Sequence, residues 1–443
     1  METDKITIQD LNIFDTHEGG SVFNRIDFTI TAPGKEKLIA HLTQPSTGYS
    51  RVVEMQQVVA CLIEKLPSWP TRITNGTVLM IDRFYETALN TIPEQVGKYN
   101  SFFYRIFNNS DHSLIRFSVV HCFDLLKGLR EITAIFVNVE SPEILKKKLH
   151  RIHELLQQQE LQFVFQKNNA EQLSNAETLQ LAYYLRYRYK HPIRELMKIH
   201  AELDAWYSMA KATVELQLQF PQFIDTPQPA LCISKLRHLL LDHPIPYDIE
   251  MNQQRHFIFL TGANMAGKST FIKSLGIAVF MAHAGMGVPA RSMQLSVFDG
   301  LLSNINIMDN LVKGESYFYN EVQRIKSTIQ RINDGRKWLV LIDELFKGTN
   351  VEDAMKCSQT VIEGMLRIKG SLIVLSTHLY EIAKQLPPNS HIQFRFFETT
   401  VANEQFSFSY QLKEGVSNDR LGYLILKKEG VVDMLQQLNN PPS

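Results

Sequence analysis

Nine consecutive residues restrict the folds open to this chain more than any other feature: Gly262-Ala-Asn-Met-Ala-Gly-Lys-Ser-Thr270. They follow an apolar run, His256-Phe-Ile-Phe-Leu-Thr261, and precede a segment with helical patterning. A short continuous apolar run reads as a strand buried on both faces, which is the habit of a parallel sheet covered by helices. The nonamer fits G-x-x-x-x-G-K-[ST], and its place between strand and helix is what that pattern requires. Gly262 and Gly267 let main-chain N–H groups curl around phosphates, and the helix N-terminus adds its positive end. Ala263, Asn264, Met265, Ala266 and Thr270 complete the binding loop. Lys268 is expected to reach the β- and γ-phosphates, and the Ser269 hydroxyl to ligate Mg²⁺. ATP with Mg²⁺ is the ligand pair this loop implies.

Three further segments bear on the same chemistry. Leu339-Val-Leu-Ile-Asp343-Glu344 is an apolar strand ending in adjacent carboxylates. Asp343 is placed to support the metal, and Glu344 to orient and deprotonate an attacking water. Ser376-Thr-His378 closes another buried run, Ser371–Ser376, so His378 can sense the γ-phosphate or position water. A strand-end histidine without such neighbours is more often structural. Gly314-Glu-Ser316 opens a helical segment containing Glu321, and taken alone Ser316 reads as a helix cap.

The texture of the chain changes near Leu231. Before it, segments such as Leu38–Leu42, Val52–Leu66, Leu114–Leu129 and Ile193–Leu218 place apolar residues three and four apart, so helices are expected. Pro221, Pro227 and Pro229 mark a linker over 220–230. Beyond it strands and helices alternate, and 393–399 with 405–412 read as an antiparallel hairpin. The expected architecture is therefore α plus α/β, with a helical domain over 1–230 and a P-loop α/β domain over 231–443. Lysine plus arginine equals aspartate plus glutamate, 46 each in 443 residues, so any nucleic-acid partner must be held by local patches. Four cysteines without C-x-x-C spacing argue against a zinc site or a disulfide framework. The N-terminus lacks the apolar stretch of a signal peptide, and no run reaches membrane-spanning length. A cytoplasmic location is expected.

These motifs together resemble the MutS family of DNA mismatch-repair ATPases. Thr261–Thr270 resembles that family's T-G-P-N-M-G-G-K-S-T, Leu339–Thr349 its L-V-L-I-D-E-x-x-x-G-T, and Gly314–Glu321 its G-x-S-T-F-x-x-E. Phe23–Asp27, Thr31, Gly34 and Leu42–Pro45 resemble the start of the MutS core, and Ala201–Asp204 its helix leading toward the ATPase. The resemblance implies a helical core/lever region followed by an ABC-like ATPase domain. It implies a homodimer with ATP sites at the subunit interface, where Ser316 of one subunit completes the other's site and Thr349-Asn350 cross it. Ala263, Ala266, Phe346, Lys347 and Asn350 depart from the family pattern, standing where it has Pro, Gly, Gly, Arg and Ser. No counterpart of the mismatch-reading or connector domain is found ahead of the core, and the helical region looks too short for full levers plus a clamp.

DNA is the partner the resemblance implies, with repair proteins as candidate further partners. Two patches are candidates for phosphate contact: Lys146–Lys148 with His150 and Arg151, and Arg186, Arg188, Lys190, Arg194 and Lys198 interleaved with tyrosines 183, 184, 187 and 189. The plainer reading of each is a solvated helix face. The alternative function is an ABC-like mechanical ATPase, or a nucleotide-gated module, acting on a protein or ribosomal partner. Tyr247 is the nearest aromatic ahead of the loop that could stack on adenine, or could simply be packed.

Overall fold

A computed structural model describes residues 1–14, 20–94, 97–306, 317–386, 391–402, 405–417, 426–432 and 434–435. The strands in chain order are β1 (Gln222–Ile224), β2 (Ala230–Leu236), β3 (Tyr247–Asn252), β4 (Phe257–Thr261), β5 (Ser292–Ser296), β6 (Gly300–Asn304), β7 (Trp338–Asp343), β8 (Ser371–Ser376), β9 (Ile392–Ala402) and β10 (Gln405–Glu414). Six form one sheet in the order β10-β9-β4-β8-β7-β6, parallel except for the β9–β10 hairpin at one edge. The other four form a second sheet, β1-β5-β2-β3.

The apolar runs fall where the patterning places them, because their residues are buried on both faces. On one face Trp338, Val340 and Ile342 of β7 join Ile325 and Ile332 of helix Tyr317–Ile332 and Ile362 and Met365 of helix Val351–Met365. On the other face the helix Lys268–His283 lies so close that a Cβ at Gly276 would come within 2.8 Å of Leu341. The expected hairpin forms, with Gln405 opposite Ala402 and a bulge between Phe408 and Leu412.

The chain forms two compact units, and they do not divide at a single break near 230 as expected. One unit comprises Met1–Arg25, Gln44–Val52 and Leu216–Ser443; the other comprises Ile26–Thr43 and Val53–Glu215. The physical reason lies at the edge strand β6, whose free hydrogen-bonding groups need a partner. The Glu2 amide donates to Asp299 O at 2.7 Å and the Leu301 amide to Glu2 O at 2.9 Å. Buried Asp10 then accepts from the amides of Ile305 and Asn306, both at 2.9 Å, and from Ser303 Oγ at 2.6 Å. The expected linker also carries a strand: β1 pairs in parallel with β5, and Pro221, Pro227 and Pro229 flank it.

The second unit is helical. Its longest helices, Asn109–Ala134 and Lys190–Glu215, each run 26 residues. Pro192 lies in the first turn of the latter, where a missing N–H costs nothing, after a π-helical turn over Tyr184–Arg188. Helix Ala32–Thr43 meets helix Lys190–Glu215 at Gly34, where an added Cβ would lie 2.1 Å from Asp204 Oδ2. The Asp204 carboxylate accepts from Ile30 N at 3.0 Å, Thr31 N at 2.9 Å and Thr31 Oγ1 at 2.6 Å.

Candidate active site

The C-terminal ends of β4, β7 and β8 meet at the loop 262–267. Gly262, Met265 and Gly267 take positive φ values of 140°, 70° and 109°, and Gly267 caps the following helix. Ala263 and Ala266 stand outside that left-handed set, and a turn closes between them, Ala266 N to Ala263 O at 3.2 Å. Alanine therefore fits where neither backbone freedom nor extra space is needed.

Lys268 is only 4% exposed, and its Nζ donates to Gly262 O at 2.8 Å and Ala263 O at 3.1 Å. Burial pulls its ammonium below the usual lysine range, while the nearby Glu344 and Asp343 carboxylates oppose that shift. Asp343 takes a hydroxyl on each oxygen: Ser269 Oγ donates to Oδ2 and Ser376 Oγ to Oδ1. A serine hydroxyl facing a carboxylate beneath the loop is an all-oxygen donor pair of the kind a hard divalent cation takes, so the residues present fit Mg²⁺.

Glu344 follows in a left-handed conformation, φ 66°, an uncommon state for a non-glycine residue that recurs at functional sites. Its Oε2 lies 3.1 Å from Lys347 Nζ and 3.8 Å from His378 Nδ1. His378 is half exposed. A cavity of about 520 Å³ lies over the loop, with Asn264, Ser269, Asp343, Glu344, Lys347 and Tyr410 among its walls.

Glu321 reaches the same region from helix Tyr317–Ile332. It is 2% exposed, and it accepts from Lys347 N at 3.0 Å and Gly348 N at 3.2 Å. Phe318 and Phe346 meet beside it, ring centres 5.7 Å apart. Ser316 lies outside the described residues. Tyr247 is interior packing, edge-on to Phe271 at 5.3 Å and to Phe397 at 5.7 Å. The aromatic on the cavity wall is Tyr410, 40% exposed, with φ 52° at the β10 bulge. Sequence reasoning missed Tyr410 because a bulge that turns one side chain into a cleft leaves no periodic signal.

Comparison with known families gives two matches that between them cover most of the chain. MutS domain III matches residues 6–210, and MutS domain V matches residues 258–437. The chain belongs to the MutS family. It is 28% identical over 256 residues to the DNA mismatch repair protein MutS of Streptococcus suis, covering 56% of this chain and 30% of that protein. It is 30% identical over 239 residues to the MutS of a Geobacillus species, covering 52% of this chain and 27% of that protein. DNA mismatch repair protein msh3 of Aspergillus fumigatus is 30% identical over 241 residues, covering 52% of this chain and 21% of that protein. The chain thus matches less than a third of the length of these curated relatives.

Three further departures from the MutS pattern are placed by the structure. Asn350 caps helix Val351–Met365, its Oδ1 accepting from Asp353 N at 3.0 Å, which is chemistry a serine also performs. Lys347 stands beside Glu344, and Phe346 takes a positive φ of 57°, conformationally close to the glycine it replaces. The candidate DNA-contacting cations of this MutS-family chain are largely engaged within their own unit. Lys148 meets Glu202 at 2.6 Å, Arg151 meets Glu195 at 2.7 Å, and Arg186 donates to Phe84 O and Thr87 O. Among the described residues, no helix is long and apolar enough to cross a membrane.

Proposed function

We propose that this MutS-family chain is a Mg²⁺-dependent ATPase that acts on DNA, in mismatch repair or a related transaction, as a homodimer. The observation that carries the reading is the convergence of Lys268, Ser269, Asp343 and Glu344 at one cavity under a glycine-bounded loop. Lys268, poised on the loop's carbonyls, would exchange them for β/γ-phosphate oxygens. Gly262–Thr270 would present main-chain amides to the phosphates, with Asn264 at the cavity wall. Mg²⁺, held by Ser269 and Asp343, would neutralise charge on the phosphate oxygens. Ser376 keeps Asp343 oriented. Glu344 would accept the proton of the attacking water, with Lys347 and His378 holding its carboxylate. Tyr410 offers a ring face to the base. Ser316 of the partner subunit would complete each site. Relatives named DNA mismatch repair proteins support the DNA part of the reading.

The test pairs two variants. Lys268→Ala should abolish Mg²⁺-dependent nucleotide binding. Glu344→Gln should bind ATP as tightly as the parent while hydrolysing it on the order of 10²–10⁴-fold more slowly, and should gather as an ATP-bound dimer in sedimentation velocity. Undiminished turnover in Glu344→Gln would remove it as the base, and undiminished binding in Lys268→Ala would end the P-loop reading.

A further inference from the structure

At the opposite end of the parallel sheet, where β4, β8 and β9 begin, a second cavity of about 330 Å³ opens. Its walls include His256, Ser371, Arg367, Lys369, Gln254 and His391. His256 is 7% exposed and Ser371 1% exposed, and both are set at the sheet end. The Ile373 amide donates to the His256 carbonyl at 2.8 Å, which ties the two strands together at this point.

Two buried polar atoms here are unsatisfied: His256 Nε2 and Ser371 Oγ have no hydrogen-bond partner among the described residues. Such atoms are costly, commonly 1–3 kcal/mol each as an order of magnitude, and call for an explanation. The tautomer of His256 follows from its other nitrogen. Nδ1 lies 3.1 Å from Gln253 O, and a carbonyl only accepts, so Nδ1 carries the proton. In the neutral ring Nε2 is then a lone-pair acceptor. Burial depresses the basicity of this imidazole, which keeps the ring neutral. The Leu366 carbonyl makes a weaker hydrogen-bond contact with the same ring, the smallest of the influences on it, and Nε2 keeps no partner of ordinary hydrogen-bond geometry among the described residues.

No aspartate or glutamate is on the wall among the described residues, whereas Arg367 and Lys369 are exposed at its margin. The complement of this wall is an anion that also carries an O–H. A carboxylate at neutral pH lacks that proton almost entirely, whereas a phosphate monoester, with its second pKa near 6, keeps a P–OH in about a tenth of the population at pH 7 and in about half at pH 6. The P–OH suits Nε2, a phosphate oxygen can accept from Ser371 Oγ, and the remaining charge faces Arg367 and Lys369. The volume leaves room for a small organic group beyond the phosphate, against the apolar side chains of Leu366 and Ile368.

We propose that this cavity is a second ligand site, separate from the P-loop, that takes a small phosphate monoester through His256, Ser371 and the Arg367–Lys369 margin. Calorimetric titration of the full chain with glycerol 3-phosphate, with glycerol as the phosphate-free control, tests it. Binding is expected for the ester and none for glycerol. His256→Gln and Ser371→Ala should each weaken binding by about tenfold, the worth of one hydrogen bond to a charged group. Arg367→Glu, an exposed change compatible with folding, should weaken it as well. Lys268→Ala should leave it within about twofold, the spread expected of a distant, independent site. A silent titration would mean the cavity holds water alone, and binding abolished only by Lys268→Ala would place the phosphate in the P-loop. Either result overturns the proposal, as would binding indifferent to His256, Ser371 and Arg367.

Discussion

His283 shows how a single buried side chain ties stability to pH. It sits fully buried at the end of helix Lys268–His283, with Nδ1 2.8 Å from Ser46 O and Nε2 accepting the Phe298 amide at 3.2 Å. Protonating Nε2 would break that second bond inside an apolar core, and burial pulls the pKa down to about 4. Unfolded histidine titrates near 6.5. Between those values the unfolded chain binds a proton that the native chain does not, so stability is whole above about pH 6.5 and is lost as pH falls toward about 4. The steepest loss is about 1.4 kcal/mol per pH unit for one such residue. His200 and His238, also drawn down to about 4 by burial, add to the slope. Urea unfolding at pH 7 and pH 5 should show the difference, and His283→Gln should be less stable at pH 7 yet lose less on acidification. Equal acid sensitivity in the two proteins would contradict the assignment.

Among the elements, helix Tyr317–Ile332 and helix Ala32–Thr43 each carry one decisive contact. Glu321 projects from the first and holds the main chain at Lys347 and Gly348, three and four residues beyond Glu344. Glu321→Ala should therefore loosen the segment that orients Glu344 and lower kcat by about tenfold or more, with nucleotide affinity within about threefold of the parent. A loss of affinity with kcat unchanged would argue against this positioning role. In the second helix, Gly34 faces a carboxylate pinned by three hydrogen bonds. Asp204 cannot swing aside without breaking them, so Gly34→Ala should destabilise the helical unit by about 2–4 kcal/mol. Circular dichroism under urea measures this, and a parental midpoint would refute the clash. Helix existence was legible from apolar spacing, as in 114–129 and 193–218, but helix Asn75–Glu86 was not recovered. In the sequence strand β1 reads as linker because three prolines flank its three residues, and only pairing with β5 makes it a strand.

For the whole molecule, the DNA-binding part of the reading has a measurable electrostatic signature. The formal net charge is zero and many patch cations are already paired with carboxylates of their own unit, so few phosphates can be neutralised. Any duplex affinity should fall with salt at a shallow slope, about 0.9 per phosphate contact on a log–log scale. Fluorescence anisotropy with labelled duplex, mismatched and branched DNA across a salt series gives that slope, with and without ATP. Salt-insensitive or absent binding to every DNA would remove nucleic acid from the proposed function.

By itself the amino-acid order determined the parallel sheet, the loop at the end of β4, the paired carboxylates at the end of β7 and the family resemblance. Each is written within a dozen contiguous residues and obeys a local period or spacing. Tertiary structure alone decided that Met1–Arg25 belongs with the ATPase-type unit, that Ser376 shares Asp343 with Ser269, that Glu321 braces the Glu344 segment, and that Tyr410 rather than Tyr247 lines the cleft. Those partners stand 33 residues apart for Asp343 and Ser376 and 295 apart for Asp10 and Ile305. Contacts of that range are set by how buried polar groups find partners once the chain is closed, and no local pattern encodes them.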